Sequence, residues 1–234
     1  MPFELIGFDA DDTLWHNEGH YDVTQQAFTD ILRPWVDPDT VAAALLETER
    51  RNLAVFGYGA KGFLLSMIET ALAVTHRRID GRHIEEIIGL GKRLMQHPVE
   101  LLDGVADALA ALSGRRLLLI TKGELFHQES KVAASGVADR FERVEIVSEK
   151  DTDTYRRILD GMGVAPDAFC MVGNSPRSDI QPVLDLGGCG VHVPYHTTWA
   201  LEQAELDDAN PRMARAAGMD EVPAAIAALE AHAP

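Results

Sequence analysis

The chain is short of positive charge, of cysteine and of long apolar runs. Its 21 Lys and Arg residues stand against 37 Asp and Glu, and the formal net charge of −16 argues against nucleic acid and anionic membrane surfaces as partners. Its two cysteines, Cys170 and Cys189, lie in apolar or Gly-rich surroundings without metal-ligand spacing, so reduced core thiols are expected. No run approaches the roughly 18 apolar residues of a membrane span, and the first residues lack the basic segment of a signal peptide. The composition predicts a soluble, cytoplasmic protein.

Apolar runs alternate with helical patterns along much of the chain. The clearest runs cover residues 3–8, 116–120 and 169–172, and weaker ones cover 144–147 and 191–193. Strands that alternate with helices predict an α/β fold, in which a parallel sheet carries helices on both faces. Polar residues follow the three clearest runs. Because the carboxyl ends of parallel strands share one edge of the sheet, these residues should converge there.

Residues 16–97 interrupt this alternation. Apolar residues recur there at helical spacing, prolines and glycines separate the segments, and no strand run is convincing. The sequence therefore predicts an α/β core formed by residues 1–15 and 98–234, with an inserted all-helical domain formed by residues 16–97. Since the insertion follows the first strand, it is expected beyond the carboxyl edge of the sheet.

Three carboxylates crowd the end of the first predicted strand. Asp9, Asp11 and Asp12 repel one another and are poor strand formers, a cost that a bound cation would offset. Carboxylate oxygens favour Mg²⁺ over zinc or copper. A solvated acidic turn is the alternative that this cluster alone leaves open. Because the acidic net charge repels anions at long range, any anion site must be built locally, from a metal, lysine and backbone N–H groups.

Four motifs follow one another along the chain. They are Asp9-Ala10-Asp11-Asp12-Thr13, then Thr121 after the second strand, then Lys150, then Gly173-Asn174-Ser175 with Asp179. This ordered set, which spans residues 3 to about 195, resembles the haloacid dehalogenase-like hydrolases. The resemblance implies a Rossmann-like core, a helical cap of the C1 type in the insertion, and hydrolysis through an aspartyl-phosphate.

The resemblance also implies a role for each residue of the first motif. Asp9 is expected to attack phosphorus as the nucleophile, and Asp11 to protonate the leaving oxygen and then take a proton from water. Thr13 is expected to help hold Asp11. Mg²⁺ is expected on the Asp9 carboxylate and the Asp11 backbone carbonyl, where it screens the nucleophile from the phosphate. Asp12 is expected to face away from the metal in a structural role.

Phosphate binding is expected from the second and third motifs. Thr121 would contribute its hydroxyl and Lys122 its backbone N–H, although a simple turn threonine is the alternative. Lys150 is expected to pair with the nucleophile and the phosphate and to stabilise charge in the transition state. The family usually has Lys-Pro at this point, whereas here Asp151 follows the lysine, so Lys131 and Lys122 stay open as alternatives.

The fourth motif supplies the remaining metal ligands. Where the family commonly has Gly-Asp, this chain has Gly173-Asn174. Asn174 can still donate an oxygen to Mg²⁺ or to a bound water, but it brings no charge. Asp179, five residues beyond Asn174, keeps an acidic ligand in the spacing of one family variant. A metal site with weaker affinity is therefore expected.

Two residues of the insertion are candidates for substrate contacts. Tyr58 and Lys61 lie in the Gly-rich stretch 57–62, which connects two helical patterns. The stretch is interpreted as a substrate loop that dips into the active site. A solvated helix connection is the alternative.

The sequence thus favours a Mg²⁺-dependent phosphohydrolase that acts on a small phosphorylated metabolite. A 2-haloacid dehalogenase also uses an aspartate nucleophile but needs no acid two residues later, so Asp11 argues against it. A sugar phosphomutase shares the motifs and differs in how its cap excludes water. A non-catalytic binding protein on the same core is the alternative from another class, and the presence of Asp9, Asp11 and Asp179 argues against it. The particular substrate and the oligomeric state stay open.

Overall fold

The structure, a computed structural model, describes residues 2–197 and 199–232 and contains a six-stranded sheet. Its strands are β1 Leu5–Phe8, β2 Leu117–Lys122, β3 Arg143–Val147, β4 Phe169–Gly173, β5 Cys189–His192 and β6 Met213–Arg215. Their spatial order is β3-β2-β1-β4-β5-β6, and every neighbouring pair is parallel. Since β1 lies between β2 and β4, the residues that follow these three strands come together at the carboxyl edge.

Helices connect the strands and confirm the predicted α/β fold. They are α1 Glu18–Leu32, α2 Pro38–Phe56, α3 Ala60–Val74, α4 Gly81–Met95, α5 Val105–Ala111, α6 Leu125–Ala134, α7 Thr152–Met162, α8 Gln181–Leu186 and α9 Val222–His232. Short 3₁₀ turns lie at Ala138–Arg140, Pro166–Ala168 and Met219–Glu221, and a π-helical turn lies at Pro176–Ile180. Among the described helices, none is both long and apolar enough to cross a membrane.

Apolar side chains cover both faces of the sheet, because successive residues of a strand point to opposite faces. In β1, Ile6 and Phe8 join a core cluster with side chains of α5 and α9, whereas Leu5 joins a second cluster with side chains of α7. Gly7 faces the second cluster, where an added Cβ would lie 2.6 Å from the ring of Phe169. Glycine at this position therefore allows a β4 side chain to pack over the centre of the sheet.

The chain forms two compact units. The sheet unit contains Met1–Glu18, Val99–Lys122 and Gln128–Pro234, and the helical unit contains Gly19–Pro98 and Gly123–His127. The helical unit thus includes the short segment that directly follows β2 in the chain.

Two helices of the helical unit, α2 and α4, begin at side-chain caps, and each helix of the unit buries one face. Asp37 accepts a hydrogen bond from the N–H of Thr40 at 2.9 Å, which caps α2. Asp80 accepts one from the N–H of His83 at 3.1 Å and caps α4 in the same way. The buried faces meet in a separate apolar core, whose members include Phe28, Leu45, Met67 and Ile87.

Two features of the sheet differ from the sequence prediction. The strand β2 runs two residues past the predicted run, so Thr121 and Lys122 are its last residues rather than the first of a turn. The strand β6 was not predicted. It is three residues long and lies at the sheet edge, where its side chains are not fully buried, so it needs no apolar run.

Candidate active site

Asp9 is held at the end of the central strand. Its N–H donates to the carbonyl of Val172 at 2.9 Å, which continues the pairing of β1 with β4. Its carboxylate is 6% exposed and accepts a hydrogen bond from the Thr13 hydroxyl at 2.9 Å. That hydroxyl also accepts from the Asn174 N–H at 3.0 Å. The expectation that Thr13 holds Asp11 is therefore wrong, because the side chain reaches back four residues to Asp9 instead.

Lys150 lies between two buried carboxylates. Its ammonium contacts Asp9 and, at 2.7 Å, Asp179, and the residue is 4% exposed. Burial alone would lower the pKa of Lys150, but the charges of Asp179 and Asp9 outweigh it and raise that pKa well above its ordinary value. The sequence left three lysines as candidates to pair with the predicted nucleophile, and of these Lys150 contacts it.

The residue after this lysine explains the departure from the usual family pattern. Asp151 accepts a hydrogen bond from the Thr154 N–H at 2.8 Å and caps the start of α7. That hydrogen bond holds the pKa of Asp151 below its ordinary range. A capping aspartate and a first-turn proline both favour a helix start, so the substitution preserves the placement of Lys150.

The pKa of Asp9 is raised to about 7. Burial is the main cause, the charge of Asp179 adds to it, and Lys150 opposes both. Near neutral pH the predicted nucleophile is therefore partly protonated in the protein alone. An additional positive charge beside Asp9 would favour the ionised form that a nucleophile requires.

The carboxylate of Asp11 is held by three side chains. It accepts hydrogen bonds from Trp15 Nε1 at 2.6 Å and from Gln128 Nε2 at 3.0 Å, and Lys131 Nζ lies 2.5 Å away. Burial alone would raise the pKa of Asp11, but the charge and hydrogen bond of Lys131, with those of Gln128 and Trp15, hold it below the ordinary range. Asp11 is thus ionised while Asp9 is partly neutral.

Asp12 serves the start of a helix. Its carboxylate accepts hydrogen bonds from the N–H groups of Asn17 and Glu18 at 2.9 and 3.0 Å, where α1 begins. Its backbone has a φ of 63°, in the left-handed region that aspartate tolerates better than most residues. This geometry agrees with the structural role expected for Asp12.

Thr121 and Lys122 end β2 beside these groups. The Thr121 hydroxyl accepts a hydrogen bond from Gln128 Nε2 at 2.7 Å. The Lys122 ammonium lies 2.5 Å from Glu202 and donates to the Ser178 hydroxyl at 2.9 Å. Burial would raise the pKa of Glu202, but the charge and hydrogen bond of Lys122 hold it low. The side chain of Lys122 therefore braces the segment after β5, and a phosphate contact by its backbone N–H stays a prediction.

The fourth motif packs tightly against the sheet. Asp179 lies in the π-helical turn and accepts a hydrogen bond from the Ser175 N–H at 2.9 Å. A Cβ on Gly173 would lie 2.3 Å from the Asp179 carboxylate, so glycine is required there. Asn174 follows at the end of β4, and its carbonyl lies 3.1 Å from His192 Nε2.

These four motifs have a match among known families. The model described as haloacid dehalogenase-like hydrolase matches residues 3–187. The chain belongs to the haloacid dehalogenase-like hydrolases. The match runs from before β1 to the end of α8 and confirms the family predicted from the motifs.

Three known proteins are similar to this chain. A haloacid dehalogenase-like family hydrolase from Xanthomonas campestris is 45% identical, with a TM-score of 0.90 over 99% of this chain and 93% of that one. The L-2-haloacid dehalogenase from Xanthobacter autotrophicus is 17% identical, with a TM-score of 0.63 over 95% of this chain and 97% of that one, and shares the fold. A phosphoserine phosphatase from Thermus thermophilus is 33% identical over 84 residues, which cover 32% of this chain and 34% of that protein. This chain therefore matches about a third of that relative's length.

Phosphatases of this hydrolase family generally use Mg²⁺, and the donor set here fits that ion. Asp9 and Asp179 offer carboxylate oxygens, and the amide oxygen of Asn174 and Asp9 Oδ2 lie 3.4 and 2.9 Å from the same Thr13 hydroxyl. Among the described residues, no group of three or more His, Cys, Asp or Glu is placed to hold a metal, so an ion here depends on this mixed oxygen set. Mg²⁺ takes few protein ligands and keeps several waters. Its charge would also oppose the burial and the repulsion from Asp179 that together raise the pKa of Asp9.

Tyr58 and Lys61 lie in the helical unit, between α2 and the first turn of α3. The Lys61 ammonium lies 3.1 Å from Glu124 and 5.6 Å from the centre of the Phe126 ring, both in the segment that follows β2. The side chain of Lys61 is half-exposed. Substrate binding by Tyr58 and Lys61 stays a prediction.

Sequence reasoning missed three side chains of this hydrolase site. Gln128 and Trp15 bind Asp11, and Glu202 binds Lys122. A signal existed for Gln128, since it lies seven residues after Thr121 on the helix that follows β2. No comparable signal exists for Glu202, because it lies 80 residues from its partner in a segment without regular structure.

Proposed function

We propose that this hydrolase is a Mg²⁺-dependent phosphohydrolase that acts on a small phosphorylated metabolite through an aspartyl-phosphate. The observation that carries the proposal is that the two carboxylates after β1, Asp9 and Asp11, are held by different partners. Asp9 is paired with Lys150, whereas Asp11 is held apart by side chains of α6 and by Trp15. A dehalogenase needs the first carboxylate alone, and a phosphohydrolase needs both.

The first chemical step joins Asp9 to the substrate. A carboxylate oxygen of Asp9 attacks phosphorus, and the bond from phosphorus to the leaving oxygen breaks as an acyl-phosphate forms. Asp11 donates a proton to the leaving oxygen, which leaves as an alcohol. Asp11 is ionised in the protein alone, and the negative charge of an arriving phosphate raises its pKa and favours the protonated form that this step needs.

The second step releases phosphate. Asp11, now deprotonated, takes a proton from water, and the water oxygen attacks phosphorus and displaces the Asp9 carboxylate. The hydroxyl of Thr121, the N–H of Lys122 and the ammonium of Lys150 are the groups proposed to bind the phosphoryl oxygens. Asp9, Asp179, Asn174 and the Asp11 carbonyl would hold Mg²⁺, which would supply positive charge that screens the nucleophile from the phosphate.

The helical insertion, residues 16–97, is proposed to act as a cap. In this proposal Tyr58 and Lys61 contact the part of the substrate that differs between metabolites, and the cap excludes water from the site while phosphorus reacts. Substitutions at Tyr58 or Lys61 are then expected to change the ranking of natural phosphate esters and to spare a small aryl phosphate. Equal losses of activity on every ester would show that both residues serve packing and not substrate recognition.

The experiment that tests the proposal measures phosphate release by the purified protein from p-nitrophenyl phosphate and from a panel of phosphorylated metabolites, with Mg²⁺ and with EDTA. Activity is expected with Mg²⁺ and should be lost in chelator. Asp9→Asn should abolish turnover, because an amide cannot form the acyl-phosphate, while the exposed Asp160→Asn on α7 should leave it unchanged.

Acid-quenched protein should carry a covalent phosphoryl group in the wild type but not in Asp9→Asn. The similarity to the Thermus thermophilus protein, which is named a phosphoserine phosphatase, supports the proposed phosphatase activity. Halide release from a 2-haloacid, without phosphate release from any ester, would replace the proposal with a dehalogenase. Transfer of phosphate between positions of one sugar would make the protein a mutase.

A further inference from the structure

Two polar side chains of α6 point at the predicted acid–base residue. Gln128 and Lys131 are three residues apart on this helix and therefore share a face. Gln128 is 3% exposed, and the side chain of Lys131 is largely buried. We infer that Gln128 and Lys131 are positioning residues, which fix the Asp11 carboxylate relative to Thr121 and so set the efficiency of proton transfer. This inference rests on the proposed phosphohydrolase function.

Gln128 connects two motifs through one amide. Its Nε2 lies 3.0 Å from Asp11 Oδ2, 2.7 Å from Thr121 Oγ1 and 3.0 Å from the Lys122 carbonyl. The predicted acid–base group and the predicted phosphate-binding hydroxyl are therefore held at a fixed separation by a single side chain. A short displacement of this amide would move both groups relative to the reacting phosphorus.

Lys131 fixes the other carboxylate oxygen. Its Nζ lies 2.5 Å from Asp11 Oδ1 and donates to Asn17 Oδ1 at 3.0 Å. Trp15, which lies four residues after Asp11 in the loop that follows β1, donates to the same carboxylate oxygen. Both oxygens of Asp11 are thus bound, so the carboxylate cannot rotate without breaking contacts to two separate elements.

The amide of Gln128 is also costly for the fold. Its Oε1 is buried, and among the described residues it has no hydrogen-bond partner. Burial of an unsatisfied acceptor destabilises a protein, so an apolar side chain of similar size would serve a purely structural role better. The amide nitrogen, which touches both Asp11 and Thr121, accounts for the presence of glutamine at this position.

A matched pair of esters separates positioning from stability. Phenyl phosphate and p-nitrophenyl phosphate have similar size, but phenolate is the poorer leaving group and depends more on a proton from Asp11. Gln128→Leu and Lys131→Met are expected to lower kcat for phenyl phosphate by about tenfold to a hundredfold, with KM nearly unchanged. The loss on p-nitrophenyl phosphate should be smaller, because p-nitrophenolate is the better leaving group and depends less on a proton from Asp11.

Lys131→Arg should recover most of the loss, since it keeps a charged donor near Asp11. Glu129→Gln, an exposed neighbour on the same helix, is the control. Equal losses of kcat on the two esters, or a rise in KM at constant kcat, would overturn the inference while leaving the phosphohydrolase proposal standing. A wild type inactive on every ester overturns both. If Gln128→Leu fails to fold in urea titrations, Lys131→Met and its arginine counterpart decide the question.

Discussion

Removal of the Lys150 charge should destabilise the protein in a manner that depends on pH. In Lys150→Met the side chain keeps its length and apolar stem but loses the ammonium that touches Asp9 and Asp179. Two carboxylates then stay buried without a cation between them. Since all three residues are at most 6% exposed, water cannot replace the lost partner.

The magnitude follows from the burial and from the pKa of Asp9. Removing one partner of a buried ion pair typically costs about 3–5 kcal/mol, a large share of the roughly 5–15 kcal/mol that stabilises a domain. Lys150 holds the pKa of Asp9 down to about 7, so without it this pKa rises further. A carboxyl whose folded pKa is raised stabilises the native state below its unfolded pKa, near 3.8, and that stability is lost as pH rises through the folded pKa. The penalty in Lys150→Met should therefore be largest above about pH 8 and shrink toward pH 5.

Urea unfolding of wild type and variant at about pH 8 and about pH 5 measures this difference. Lys61→Met is the matched control, because its ion pair with Glu124 is half-exposed and should contribute less than about 1 kcal/mol at either pH. In a second variant, Asp179→Asn is added to Lys150→Met, which leaves Asp9 as the one carboxylate of this pair and should restore part of the stability at the higher pH. Equal penalties at both pH values, or a double variant less stable than the single one, would refute this account of the site.

Three further outcomes are expected. The pKa of Glu49 on α2 is raised to about 7 by burial, so its contribution to stability is present below its ordinary value of 4.5 and is lost as pH rises through about 7. Glu49→Gln should therefore raise the free energy of urea unfolding by up to about 3 kcal/mol near pH 8, with little gain near pH 5. Glu202→Gln removes the carboxylate that pairs with the Lys122 ammonium, and the freed charge should lower the KM for p-nitrophenyl phosphate by roughly two- to tenfold, whereas an unchanged KM would show that this ammonium does not act on phosphate. Gly173→Ala pushes a Cβ into the Asp179 carboxylate, so urea unfolding should show a loss of about 1–3 kcal/mol and activity should fall at least about tenfold, whereas wild-type behaviour would mean that the turn relaxes freely.

The central part of the sheet could be predicted because its signals are local. Residues 169–172 are an uninterrupted apolar run and residues 3–8 are apolar apart from Glu4 and Gly7, as is typical of strands buried on both faces, and the polar residues after them had to share one edge. The edge strand β6 carries no such signal, since its three residues are neither a long apolar run nor fully buried. It is held by its parallel pairing with β5 rather than by an apolar pattern of its own.

Residues of the candidate site could be predicted only where they belong to a motif with recognisable spacing. Asp9, Lys150 and Asp179 were found through the family resemblance, and the structure places them in contact. The partner of Thr13 was predicted wrongly, because spacing shows which residues share a strand end but not which oxygen a hydroxyl reaches. The ion pair of Lys122 joins segments far apart in the chain, and only the tertiary fold can reveal such a pair.

The distribution of charge at the sheet edge bears on how a protein with a net charge of −16 binds an anion. Lys150, Lys131 and Lys122 all lie there, but each is paired with a carboxylate of the protein. Their charges are therefore largely balanced within the site, and beside the nucleophile two carboxylates, Asp9 and Asp179, share one cation, Lys150, so that negative charge exceeds positive charge there. A phosphate ester that enters the metal-free protein meets backbone N–H groups and the Thr121 hydroxyl against this excess. We therefore expect its affinity, and not only its turnover, to depend on Mg²⁺: binding of inorganic phosphate, followed by calorimetry, should weaken by at least about tenfold in EDTA, and equal affinity with and without Mg²⁺ would show that the lysines suffice.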